Sequence, residues 1–76
     1  MRYYEAIREA TIYVNENYRG AAAKAAGKNI GKEGKREVLA LAAKMIEMEM
    51  RGDGLTKDEL HAYIDMCAEA ILEEED

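Results

Sequence analysis

The sequence predicts an all-α fold, a small three-helix bundle in a single domain spanning residues 1–76. Two observations carry this prediction. Apolar residues recur at spacings of three and four along most of the chain, which places them on one face of a helix. The chain contains no Pro, and its six Gly residues divide the periodic segments from one another.

The N-terminal segment predicts an amphipathic helix. Spacings of three and four give its seam, which consists of Tyr4, Ile7, Thr11, Val14 and Tyr18. The run AAAKAA after Gly20 consists of good helix formers, and a Gly inside a helix costs only about 1 kcal/mol relative to Ala. We therefore expect one long helix that continues to Gly27. A break at Gly20 would instead produce a fourth, short helix.

The central part of the chain predicts a glycine-rich connector and a helix that is apolar on most sides. The connector is GKNIGKEG, residues 27–34, with Ile30 as its apolar anchor. The helix spans residues 35–51, and neighbouring helices or another copy should surround it. We assign its first stripe to the chain's own core: Val38, Leu41, Met45 and Met48. We assign its second stripe to a second subunit or partner: Leu39, Ile46 and Met50.

The start of the last helix is predicted by the best-defined local signal in the chain. Gly52-Asp53-Gly54 should end the central helix, and Thr56 with Glu59 three residues later forms a capping box. Leu55 and Leu60 then occupy the positions of a hydrophobic staple. The predicted buried stripe of this helix is Leu60, Tyr63, Ile64, Cys67 and Ile71. The short connection predicts that the last two helices form an antiparallel hairpin.

The composition predicts a core that is thin for a monomer. Of the 37 apolar residues, 13 are Ala, and the chain has neither Phe nor Trp. A domain of 76 residues is near the low end of what one core can stabilise. Because association buries surface that one chain cannot cover, we predict a homo-oligomer.

The charge is unevenly distributed along an acidic chain. The formal net charge is −5, yet residues 19–36 contain six cations and one acid. The overall acidity argues against general nucleic-acid binding. The lack of an 18-residue apolar run argues against a membrane span. A single Cys and an N-terminal sequence unlike a signal peptide predict a cytoplasmic protein.

The basic segment contains a candidate site for an anion or an acidic partner. Its members are Lys28, Lys32, Lys35 and Arg36, near the start of the central helix, where backbone N–H groups favour negative charge. The segment is not a P-loop, because Gly27 and Gly31 are separated by three residues instead of four.

Enzymatic and metal-dependent functions find no support in the sequence. A calcium loop ending at Glu59 would place Met48, Met50 and Gly52 at positions that require oxygen ligands. The acids around the single His lie on the helix face opposite its apolar stripe, so we expect an exposed face: Asp58, His61, Asp65 and Glu69. The single Cys has no adjacent base, and the chain has no Ser. We predict no catalytic residue, no metal site and no cofactor.

These observations favour a small non-enzymatic interaction protein that binds, and inhibits or regulates, a macromolecular partner. Small acidic helical proteins of phages and other mobile elements act in this way. The candidate interface residues are Ile12, Tyr13, Leu39, Ile46 and Met50. One alternative is a binder of a phosphate-bearing small ligand, such as a nucleotide, in which Tyr18 stacks on the base. Another is a designed helical scaffold without a biological function.

Overall fold

The computed structural model describes residues 2–49 and 55–74, which form four α-helices and their connections. The helices are α1 (Tyr3–Tyr18), α2 (Gly20–Ala25), α3 (Gly31–Glu49) and α4 (Lys57–Glu74). The three long helices pack against one another, and α2 packs against α1. The predicted all-α bundle is therefore confirmed, in its form with a fourth short helix. Over the described residues, no helix is both long and apolar enough to cross a membrane.

The first helix ends at Tyr18, so the prediction of one continuous helix to Gly27 is wrong. Arg19 is extended, with φ −136° and ψ 156°, and Gly20 has a φ of +92°. That positive φ is inexpensive only for Gly, and it redirects the chain into α2. The N–H of Ile30 then donates to the carbonyl of Tyr18 at 3.1 Å, and the Ile30 side chain is buried as predicted.

The third helix begins earlier than predicted and uses a different face. It starts at Gly31 instead of Lys35, which shortens the connector. Its buried residues are Gly34, Val38, Ala42 and Ile46. Ile46 is 0% exposed and Met48 is 72% exposed, so the predicted division of the two α3 stripes is wrong. Ile46 belongs to the chain's own core and cannot be an interface residue, while Met50 lies outside the described residues.

Small residues explain the shifted faces. The buried stripe of α1 consists of Ala6, Ala10, Val14 and Tyr18, and that of α4 consists of Leu60, Ile64 and Ala68. Tyr4, which its spacing predicts to lie in the seam, is 84% exposed. Ala and Gly on an inner face leave room for a neighbouring helix, and larger side chains such as Tyr3, Leu39 and Met45 are partly buried against the core.

The last two helices form an antiparallel hairpin. A methyl group placed on Gly34, near the start of α3, would lie 3.4 Å from Cγ2 of Ile71, near the end of α4. At the opposite end of the hairpin, Met48 and Tyr63 line one groove. The start of each helix therefore lies beside the end of the other, as predicted.

The capping box at the start of α4 is also confirmed. The Glu59 N–H donates to Thr56 Oγ1 at 3.2 Å, and the Thr56 N–H donates to Glu59 Oε1 at 3.3 Å. Leu55 and Leu60, the residues of the predicted staple, are both buried in the core. The predicted helix stop at Gly52-Asp53-Gly54 lies outside the described residues.

Candidate functional site

The first two turns of α3 carry a basic groove, which we define by Lys32, Lys35, Arg36 and Leu39. Its volume is about 270 Å³, and these four residues line it. Lys32 and Arg36 are exposed, while Lys35 and Leu39 are half-buried. The structure thus brings three of the four predicted cations together with one predicted interface residue. Lys28 is exposed in the connector and does not line the groove.

Helical spacing explains why these side chains meet. Positions 32, 35, 36 and 39 follow one face of α3, since residues three and four apart are neighbours. Leu39 packs against the core on one side and forms the apolar floor of the groove on the other. The acids Glu33 and Glu37 of the same helix do not line it. The groove therefore combines positive charge with an apolar centre.

A polar cluster joins α1 to α4 around Asp65. The hydroxyl of Tyr13 donates to both carboxylate oxygens, at 2.9 and 3.0 Å, and the hydroxyl of Tyr18 donates to Oδ1 at 2.7 Å. Burial and then the Asp65 carboxylate raise the pKa of Tyr13 to about 12, and the same causes raise the pKa of Tyr18. Both phenols are therefore neutral hydrogen-bond donors at physiological pH.

A second set of contacts extends this cluster toward the start of α4. The ring of His61 stacks on Tyr13 with ring centroids 3.9 Å apart. Its Nε2 lies 3.0 Å from Oε1 of Glu9, and Lys57 Nζ lies 3.5 Å from the same oxygen. The hydrogen bond with His61 is the main cause that lowers the pKa of Glu9.

These contacts correct half of the prediction of an exposed acidic face on α4, of which Asp58 and Glu69 are exposed as predicted. His61 and Asp65 are half-buried because α1 covers that side of the helix. Tyr13, a candidate interface residue, is instead bonded within the chain's own bundle. Ile12, the other candidate on α1, is 40% exposed, and whether it contacts a partner stays a prediction.

Two observations on the described residues concern metal binding and thiol reactivity. No group of three or more His, Cys, Asp or Glu side chains within residues 2–49 and 55–74 is arranged to hold a metal ion. Cys67 is half-buried, and burial raises the pKa of its thiol. A raised pKa disfavours the nucleophilic thiolate.

A second groove lies between α3 and α4 and was missed from the sequence. We call it the hairpin groove; its volume is about 470 Å³, and its lining is Leu41, Lys44, Met45, Met48, Glu49 and Tyr63. The sequence predicts burial for four of these side chains: Leu41, Met45, Met48 and Tyr63. The available signal was a second set of residues on α3 with regular four-residue spacing. This set is buried in the structure and consists of Gly34, Val38, Ala42 and Ile46.

Comparisons of this chain with protein-family models, curated proteins and solved structures find no match.

Proposed function

We propose that this chain is a non-enzymatic helical interaction protein that binds an acidic surface of a macromolecular partner. The contact is made by the basic groove. The observation that supports this is the meeting of Lys32, Lys35 and Arg36 around the apolar floor provided by Leu39. By occupying its partner's surface, such a protein would inhibit or regulate that partner.

The charge distribution favours an acidic partner. The segment from residue 19 to residue 36 carries a net +5 within a chain of net −5. An acidic molecule is attracted to this part of the surface and repelled by the rest, so the charge pattern orients the encounter. Arg is also among the residue types enriched at protein interfaces. Leu39 gives the basic groove an apolar centre from which a partner can exclude water.

The open shape of the groove favours a macromolecule over a small ligand. Small-ligand sites are concave and enclose most of the ligand's surface. Here two of the four lining side chains are exposed to solvent on the outside of a helix. A protein surface or helix can cover all four residues at once, whereas a nucleotide would remain largely in water.

The test uses a fluorescein-labelled acidic peptide with Leu at helical spacing, and fluorescence anisotropy as the readout. We expect binding that weakens as salt is added, because the contacts are charged. The variant Lys35→Glu/Arg36→Glu should weaken binding about 100-fold, since it replaces two attractions by two repulsions. The matched control is Arg2→Glu/Arg8→Glu, which changes the net charge equally at exposed positions outside both the groove and residues 19–36.

Two outcomes would contradict the proposal. One is equal weakening by the groove variant and the control, which would mean that only net charge matters. The other is thermal stabilisation by ATP or pyrophosphate, without peptide binding, that is lost in Lys32→Ala/Lys35→Ala/Arg36→Ala. That result would assign the groove to a phosphate-bearing small ligand.

A further inference from the structure

We propose that the hairpin groove is the dimer interface of this protein, and that its occupant is a second copy of the chain. In this dimer the two α3 helices lie parallel about a twofold axis. The inference is independent of the basic groove, which lies nearer the start of α3.

An apolar seam runs along α3 at the hairpin groove. Leu41, Met45 and Met48 are spaced by four and three residues, which is the spacing of the d, a and d positions of a coiled-coil heptad. All three line the hairpin groove, and Met48 is 72% exposed. Large, flexible Met side chains adapt readily to a facing surface. A second α3 would cover this seam.

The charged residues beside the seam are complementary between two copies of the chain. With Leu41 at d, Lys44 occupies position g and Glu49 occupies the following position e, five residues later. In parallel coiled coils a g residue faces the e residue five positions later on the partner helix. The twofold axis therefore pairs Lys44 of each copy with the other copy's Glu49. Both residues are exposed and flank the groove.

The core of a single chain is small. Of the residues in the main buried cluster, four are Ala: Ala6, Ala10, Ala42 and Ala68. A chain of this length with so many small core residues gains stability from burying further apolar surface in a dimer. The seam is little longer than one heptad, so we expect a dissociation constant in the micromolar range.

The first experiment measures the mass in solution by sedimentation equilibrium, from micromolar to millimolar concentration. We expect the mass to rise from one chain to two. Met48→Glu should hold the protein at one chain, because it places a charge in the seam. Met66→Glu is the matched control, since Met66 is 69% exposed on α4 and lies outside the groove. Both positions are exposed, so both variants should remain folded.

The second experiment tests the pairing of Lys44 with Glu49. Lys44→Glu and Glu49→Lys should each weaken the dimer about tenfold, because each change creates two like-charge pairs by symmetry. The combined variant should recover the wild-type dissociation constant. Glu47→Lys, at position c of the same heptad, makes the same charge change away from the seam and should have little effect.

Disulfide formation tests the parallel orientation. In a Cys67→Ala background, Met48→Cys places the two new thiols face to face across the twofold axis, and air oxidation should yield a covalent dimer. Met66→Cys in the same background should not yield a covalent dimer.

A mass of one chain at every concentration would overturn the proposal. So would a dimer that survives Met48→Glu, or a combined charge variant that stays as weak as the single ones.

Discussion

A large effect on stability is expected from Asp65, whose carboxylate accepts hydrogen bonds from Tyr13 and Tyr18. Asp65→Ala leaves both hydroxyls without this acceptor. A hydrogen bond to a charged group contributes about 1.5–3 kcal/mol, and water replaces it more easily where the donor is exposed. We therefore assign about 1.5 kcal/mol to half-buried Tyr13 and about 2 kcal/mol to buried Tyr18. Their sum predicts a loss of about 3–4 kcal/mol in the free energy of unfolding.

Urea denaturation followed by circular dichroism at neutral pH measures this loss. The control is Glu73→Ala, which removes an exposed acid from the same helix and should change stability by less than about 0.5 kcal/mol. A double-mutant cycle with Tyr18→Phe isolates one of the two bonds. The argument fails if Asp65→Ala costs less than about 1 kcal/mol, or if the two substitutions are additive.

Three further predictions concern single sites. Gly34→Ala should lower the free energy of unfolding in urea by about 1–2 kcal/mol, because the added methyl group would lie 2.8 Å from Cβ of Ile30. This loss is expected although Ala is the better helix former. Equal or greater stability of the variant would show that Ile30 can move away without cost. Thr56→Ala should cost about 1 kcal/mol by thermal denaturation through loss of the capping box, and Thr56→Ser should retain most of the stability; equal losses would contradict the cap. Folding raises the pKa of Tyr13 from 10.0 to about 12, so the stability that this phenol contributes is complete below pH 10 and is lost as the pH rises through about 12. Tyr13→Phe should therefore lose less stability than the wild type between these pH values, and parallel pH profiles would refute the assignment.

The helical fold and its local signals could be predicted because they depend on residues close in sequence. Thr56 and Glu59 are three residues apart, so their capping box needs no information from the rest of the chain. Ile30 could be identified as an anchor because it is the one apolar residue of a polar connector. The basic groove was largely predictable for the same reason, since its residues follow one face of one helix.

The inner faces of the helices could not be predicted with the same success. The sequence predicts a core of large apolar residues, whereas Ala6, Ala10 and Gly34 lie inside and Tyr4 and Met48 lie outside. On a helix that is apolar almost all round, either of two stripes of residues could face the core. Which stripe is buried depends on how closely the neighbouring helices approach. That distance is a property of the assembled bundle.

The polar cluster between α1 and α4 illustrates a second limit. Asp65 has the spacing of an exposed acid, and its two donors lie 47 and 52 residues away in sequence. The available signal was a pair of Tyr residues on α1, with Tyr18 in the buried stripe and Tyr13 beside it. Only the parallel arrangement of α1 and α4, in which Glu9 meets His61 and Tyr18 meets Asp65, brings these groups together.

The hydrogen bond from Ile30 to Tyr18 has a consequence for local unfolding. Residues 19–29 form a loop that is closed by the hydrogen bond between Ile30 and Tyr18. Among the four described helices, α2 of this loop packs only against α1. This segment can therefore open as a separate cooperative unit while the three long helices remain packed, and its amides should exchange with solvent before those of α1. It carries Arg19, Lys24 and Lys28, so each opening event moves three positive charges relative to the basic groove.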